Sequence, residues 1–238
     1  MLIVPAAVGP WQANCYLVAA GAGRRDRPVE CVVVDPGMGA LPVVAEACER
    51  HHLRVAAVVA SHGHLDHVAD AAALADAAGV PVHIHPADEH LLTRPLEGLS
   101  ADVAPMLRQM GLERLSAPRR VEHLAGGAVL EAAGLRIGLR EAPGHTPGCT
   151  LLVLDGVRAD GEGEPREVVF TGDVLFAGSI GRMDLPGGDP VVMRRTLDTV
   201  VRALPPSAYL LPGHGPATTM AAESATNPYL SPNAAPLS

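Results

Sequence analysis

Lysine is absent. All 18 basic residues are arginine, set against 26 acidic ones, for a net charge of −8. A nucleic-acid partner needs a basic stripe to neutralise phosphates, and the chain has none. Its densest basic cluster, Arg24, Arg25 and Arg27, falls in a glycine-rich turn and reads as solvated. No apolar run reaches the roughly 18 residues of a membrane span. The opening MLIVPAAVGPW has neither the basic start nor the long apolar stretch of a secretory signal. A soluble, cytoplasmic protein with no nucleic-acid or membrane partner is expected. Cysteines are few, Cys15, Cys31, Cys48 and Cys149, and form no CxxC pair. That excludes a zinc finger and a disulfide framework, leaving four reduced thiols as core filler.

What is present is enough chain for one core: 238 residues at 48% hydrophobic predict a single domain over 1–238, its last ~20 residues a proline-rich tail. The 25 glycines and 22 prolines fall between apolar runs without a repeat, so many loops sit on a firm scaffold. Strands are predicted at 2–8, 15–20, 30–35, 55–60 and 81–85, then at 128–131, 135–141, 150–154, 167–171 and 209–211. Helices are predicted at 41–50, 68–78 and 190–204, with a helical piece at 103–110 inside a mixed stretch from 87 to 124 that could cover a site. Mixed strands with peripheral helices imply a layered α/β class.

The chemistry sits where the strands stop. Val55–Ala60 runs straight into SHGHLDH, so His62, His64, Asp66 and His67 gather within six residues at the end of a buried strand. Imidazole and carboxylate together suit zinc, iron or manganese. Three more strand ends carry a glycine beside a histidine or aspartate: Pro143-Gly144-His145, Thr171-Gly172-Asp173 and Pro212-Gly213-His214. Glycine lets the chain turn sharply enough to aim the side chain back into a cleft.

The order HxHxDH, then His, Asp and His, resembles the metallo-β-lactamase superfamily, from the N-terminal strands to Pro216. The resemblance implies an αβ/βα sandwich of two mixed sheets flanked by helices, with the cleft at one edge. It also implies that His62, His64 and His145 hold one divalent metal ion, that Asp66, His67 and His214 hold a second, and that Asp173 bridges both. Zinc is expected, with iron or manganese as alternatives. A bridging hydroxide would be the nucleophile, oriented by Asp66 as the catalytic carboxylate.

The segments TGDVLF, GSIGR and PGHTPG are similar to the glyoxalase II group, and GSIGRMDLPGGD with the ending PGHGPATT…TNPYL to short bacterial hydrolases related to it. Glyoxalase II proper carries a helical glutathione-binding domain after its last metal histidine, whereas 24 residues follow His214 here. A small-molecule thioester is the expected substrate, because a thiolate of pKa about 8.5 leaves with little help from an acid. Arg182 is the candidate partner for a substrate carboxylate, with an ion pair to Asp184 or Asp189 as its structural alternative. The rival activity is a persulfide dioxygenase using one iron on His62, His145 and Asp173. A lactone hydrolase is possible on the same centre, while a β-lactamase, a nuclease and a non-catalytic metal-binding module fit less well.

Lesser signals read plainly. His83 and His85 are expected to be structural, and His51, His52, His90 and His123 exposed. Cys149 reads as apolar filler near the metals. Trp11 and Asn14 lie in an N-terminal hairpin near the cleft, and Tyr229 in TNPYL has tail docking or an oligomer contact as its options.

Overall fold

Valine-rich strands with no polar residue at every second position need cover on both faces. The chain supplies it with two packed sheets. In the computed structural model, which describes residues 1–157, 164, 166–231 and 237, the first sheet holds β1 (Leu2–Val8), β2 (Ala13–Ala19), β3 (Val29–Val34), β4 (Leu53–Val59), β5 (Val82–Ile84) and β6 (Val121–His123), in that spatial order. β1 to β3 pair antiparallel, β3 to β6 parallel. The second sheet holds β7 (Val129–Ala132), β8 (Leu135–Glu141), β9 (Thr150–Val157), β10 (Arg166–Gly172), β13 (Tyr209–Pro212) and β14 (Thr218–Thr219), ordered β14-β13-β10-β9-β8-β7. Only β10 and β13 pair parallel within it. A small hairpin, β11 (Leu175–Phe176) with β12 (Ser179–Ile180), stands apart.

β3 shows how the sequence dictates the layers. Cys31 and Val33 pack beneath α1 (Ala40–His51) and α3 (Ala71–Ala78), while Val32 and Val34 face the second sheet. Between the sheets, Tyr16, Val18 and Val59 meet Ile137, Leu152 and Phe170, the Tyr16 and Phe170 rings edge-on at 5.2 Å. On the far side, Leu151, Val169 and Leu210 are covered by Met193 of α5 (Pro190–Thr196) and Met220 of α6 (Met220–Thr226). The result is the expected α/β sandwich, helix, sheet, sheet, helix. All four cysteines are free thiols, and no helix among the described residues is long and apolar enough to cross a membrane.

Three differences from the sequence reading have local causes. The helix expected over 68–78 is two pieces, α2 (Leu65–Val68) and α3, because the chain bends at Asp70, whose N–H donates to the Pro36 carbonyl while its carboxylate accepts from Leu41 N–H. The helix expected over 190–204 is α5 followed by a wider π-type turn over Leu197–Val201. The region read as a tail contains β14, α6 and a 3-10 turn over Pro228–Leu230, with Met220, Glu223, Asn227 and Leu230 buried. The remainder of that tail, 232–236 and 238, lies outside the described residues. The middle stretch carries α4 (Ala104–Gln109) as expected, and also β6, which was not.

Glu223 ties this C-terminal segment to the hairpin. It accepts from Gly178 N–H at 2.8 Å, Thr218 Oγ1 at 2.6 Å and Asn227 Nδ2 at 2.8 Å. Asn227 Nδ2 also reaches the Ser179 carbonyl at 3.2 Å. Tyr229 and Leu230 dock through their carbonyls, which accept from Arg194 and Arg202. Replacing Glu223 with Ala removes three hydrogen bonds, one of them buried, so Glu223→Ala is expected to cost about 2 kcal/mol and lower Tm by roughly 4–8 °C. Thermal denaturation followed by circular dichroism measures this, and an unchanged Tm would show that the clamp adds no stability.

Candidate metal centre

All four strand-end loops open onto the same edge of the sandwich. β4 ends at Val59, and the next residues carry His62 and His64 inward before α2 lifts Asp66 and His67. The turn between β8 and β9 brings His145, and the parallel pairing of β10 with β13 sets Asp173 and His214 side by side. Two glycines make this approach possible. A Cβ at Gly213 would lie 2.1 Å from Asp173 Oδ1 and 2.8 Å from the His67 ring. Gly144 has φ +141°, and a Cβ there would collide with the Met193 backbone at 2.5 Å.

The side chains form two clusters joined by one carboxylate. His62, His64 and His145 offer ring nitrogens within 4.8 Å of one another, and so do Asp66, His67 and His214 with their own donor atoms. His64 Nδ1 is 2.8 Å from His145 Nε2, and His67 Nε2 is 3.2 Å from His214 Nε2. Asp66 Oδ2 lies 3.2 Å from His214 Nε2. Asp173 faces both groups: Oδ1 is 3.4 Å from His67 Nε2, and Oδ2 is 3.5 Å from His145 Nε2 and 3.6 Å from His214 Nε2.

Residues outside the histidine motifs orient the rings. Asp35, buried at the end of β3, accepts from Ser61 N–H at 2.6 Å, Ser61 Oγ at 2.7 Å and His67 Nδ1 at 3.2 Å. With its hydroxyl proton on Asp35, Ser61 Oγ accepts from His62 Nδ1 at 3.1 Å. His145 Nδ1 donates to the Arg182 carbonyl at 2.7 Å. Three rings are thereby fixed as Nδ1–H tautomers with Nε2 turned to the centre. Asp35, His62 and His67 also lie close enough to form a third group, but both Asp35 oxygens are already spoken for, so it positions the others. Asp88 works on the other side. Fully buried, it accepts from Gly63 N–H, Thr146 Oγ1 and Gly148 N–H, stapling the His62–His64 loop to the His145 loop.

The electrostatics call for cations. Burial and the surrounding imidazoles hold His62 well below its ordinary pKa, and burial with His145 alongside pushes His64 down to about 3. Burial also disfavours a proton on His67, but Asp173, Asp66 and Asp35 outweigh it and push its pKa up to about 10. Burial works against the Asp66 carboxylate, yet His67 and His214 hold its pKa below the usual range. One cluster thus presents free lone pairs while the other gathers positive charge around carboxylates. His62 Nε2 and Asp173 Oδ1 are buried with no hydrogen-bond partner, a cost that a bound cation removes. The donor set fits a dinuclear metal site.

The clusters floor a cavity of about 410 Å³. Arg182 lines it, but its guanidinium is held by both Asp184 oxygens at 2.7 Å. Asp189, the other partner expected for it, instead caps α5 through Val191 and Val192 N–H. Trp11 lines the cavity too, while Asn14 Nδ2 donates to the Pro212 and Gly215 carbonyls beside His214. Cys149 is buried against Thr146, with burial pushing its thiol pKa up. His83 is buried near Glu122 and His85 lies near Glu141, away from the centre. His51, His52 and His90 are half-buried rather than exposed; His123 is exposed and paired with Glu89 at 2.6 Å. Asp35, Ser61, Asp88 and Thr146 escaped the sequence reading. Asp35 left one signal, a charge closing four apolar residues.

Known proteins share this plan. An uncharacterized Mycobacterium tuberculosis protein is 35% identical over 232 residues, 97% of this chain and 98% of that one. The Haemophilus influenzae protein named hydroxyacylglutathione hydrolase GloC is 30% identical over 230 residues, 96% of each chain. The solved structure of TTHA1623 in a di-iron-bound form is 34% identical with a TM-score of 0.71, covering 95% of this chain and 100% of that one. Residues 8–214 match the Metallo-beta-lactamase superfamily from the end of β1 to the last histidine of the centre, and the chain belongs to that superfamily.

Proposed function

We propose that the chain hydrolyses a small-molecule thioester of the hydroxyacyl-thiol kind at a two-cation centre of the glyoxalase II type. In this reading His62, His64 and His145 hold one divalent ion, Asp66, His67 and His214 hold the other, and Asp173 is shared. Zinc suits these donors, as do iron and manganese. When bound, the ions supply Lewis-acid polarisation of the acyl carbonyl and lower the pKa of water from 15.7 to about 7.

The chain's own groups do the rest. Asp66 faces the cavity from the second cluster, where its carboxylate aligns water on the acyl carbon and takes up the proton that water loses. The water oxygen bonds to that carbon, the C–S bond breaks, and its electron pair departs with sulfur. The thiolate takes back the proton held on Asp66, and a carboxylic acid and a thiol result.

The cavity lining carries the choice of a thioester. Outside the histidines, Asp66 and Asp173, the described lining residues include no Lys, Tyr, Cys or Glu, so no further acid stands ready for a leaving group. A thiolate leaves without one; an amide nitrogen does not. The match to GloC along nearly its whole length supports the same reading. Persulfide dioxygenases keep the HxHxDH motif as well, and the segment GSIGRMDLPGG, similar to the short bacterial hydrolases, supports hydrolysis over the single-iron chemistry.

Elemental analysis of protein purified without added metal is expected to find close to two divalent ions per chain. Chelation should abolish thioester hydrolysis and zinc restore it. A single iron per chain, with oxygen uptake on a persulfide, would replace this reading with the dioxygenase. Asp35→Asn is expected to weaken cation binding at the His67 cluster by roughly 10–100-fold, measured by competition with a chromophoric chelator. Unchanged affinity would mean that Asp35 serves only the fold.

A further inference from the structure

Three separate segments wall the cavity above the centre, and what they present is apolar. Trp11 comes from the β1–β2 turn, Leu99 and Val103 from the stretch before α4, and Phe176, Ile180 and Leu185 from the hairpin and the loop after it. Among the described lining residues, Ser100 and Arg182 are the only other polar side chains besides the centre's own. The mouth is also short of positive charge. Arg182 is the one arginine or lysine among the described lining residues, and two exposed carboxylates act on it: Asp184 through two hydrogen bonds and Asp102 through the field between them.

An anion that drew Arg182 away from Asp184 would gain little. The exposed pair itself is cheap to break. Its release, however, leaves the exposed Asp184 without its partner beside the incoming charge, and like charges set side by side oppose binding. An apolar group meets no such opposition, since it displaces water from apolar walls.

We infer that the cavity selects thioesters with an apolar acyl chain on an uncharged thiol, and that it discriminates against an anionic carrier such as glutathione. This rests on the thioester part of the reading above and departs from its hydroxyacyl part, putting an apolar acyl chain in its place. Leu99, Val103 and Phe176 are the residues that grip the acyl chain.

Trp11 gives the test a direct readout, because it is the only tryptophan in the chain and the residue is 38% exposed on the cavity wall. Two measurements would be made on the metal-loaded enzyme at low ionic strength. The first compares kcat/KM for acetyl to hexanoyl thioesters of N-acetylcysteamine with the matching glutathione thioesters. The second titrates non-hydrolysable S-alkyl N-acetylcysteamine thioethers against Trp11 fluorescence.

The expected results are a rise in kcat/KM of about fourfold per methylene, a parallel fall in thioether Kd, and a preference of about tenfold for the uncharged carrier. Asp184→Asn should narrow that preference. A flat chain-length series with active thioester hydrolysis, or a preference for glutathione, would overturn the inference and leave the thioester reading intact. Chain-length-dependent fluorescence with no thioester hydrolysis would do the reverse.

Discussion

Asp88 is fully buried, and its carboxylate is committed to three donors on two loops: Gly63 N–H in the first, Thr146 Oγ1 and Gly148 N–H in the second. Those loops carry His62, His64 and His145, and their bonded residues Gly63 and Thr146 lie 25 and 58 residues from it in the chain. Asp35 does the same for Ser61 and His67. A buried carboxylate is costly unless its oxygens are satisfied, and satisfied it is rigid. The centre depends on that exchange. Imidazoles that crowd one another at 2.8 and 3.2 Å stay in place because the far nitrogens of His67 and His145 and the neighbouring amides are held from behind.

The sandwich contributes the remaining precision. β10 and β13 run parallel, so the loops that follow them leave the sheet on the same side, and Asp173 and His214 become neighbours across Gly172 and Gly213. The first sheet then reaches over to the second. Asn14 N–H donates to the Gly213 carbonyl at 2.7 Å, and Tyr16 Oη donates to the Pro212 carbonyl at 2.7 Å. The last histidine is therefore fixed by both sheets, and packing between them bears directly on the position of His214.

Legibility in the sequence follows the range of each interaction. The strands were readable because burial on both faces writes a local pattern: Leu135–Glu141 is found at the bounds its alternation predicts, and Cys31–Val34 forms a strand as its unbroken apolar run requires. The histidines and aspartates stood out because their glycine neighbours mark sharp turns at strand ends. Asp88 did not, lying among other polar residues with all its partners distant in the chain. Nor did α6, since an alanine- and serine-rich stretch beside prolines earns its helix only from Met220 packing beneath the second sheet and Glu223 bonding to the hairpin.

The same distinction of range separates what the centre does from what it acts on. The donor set is held by buried bonds that leave little freedom, which is why the metal site can be read from a motif. The cavity wall is assembled from a turn, an irregular stretch and a two-stranded hairpin, each anchored on its own: the hairpin by Glu223 and Asn227, the turn by Asn14. Side chains on such segments can change without disturbing the buried bonds beneath them, since none of Trp11, Leu99, Val103 or Phe176 supplies a donor to the clusters. Substrate polarity is thus set by residues that no metal-binding pattern constrains, and it has to be argued from the wall itself.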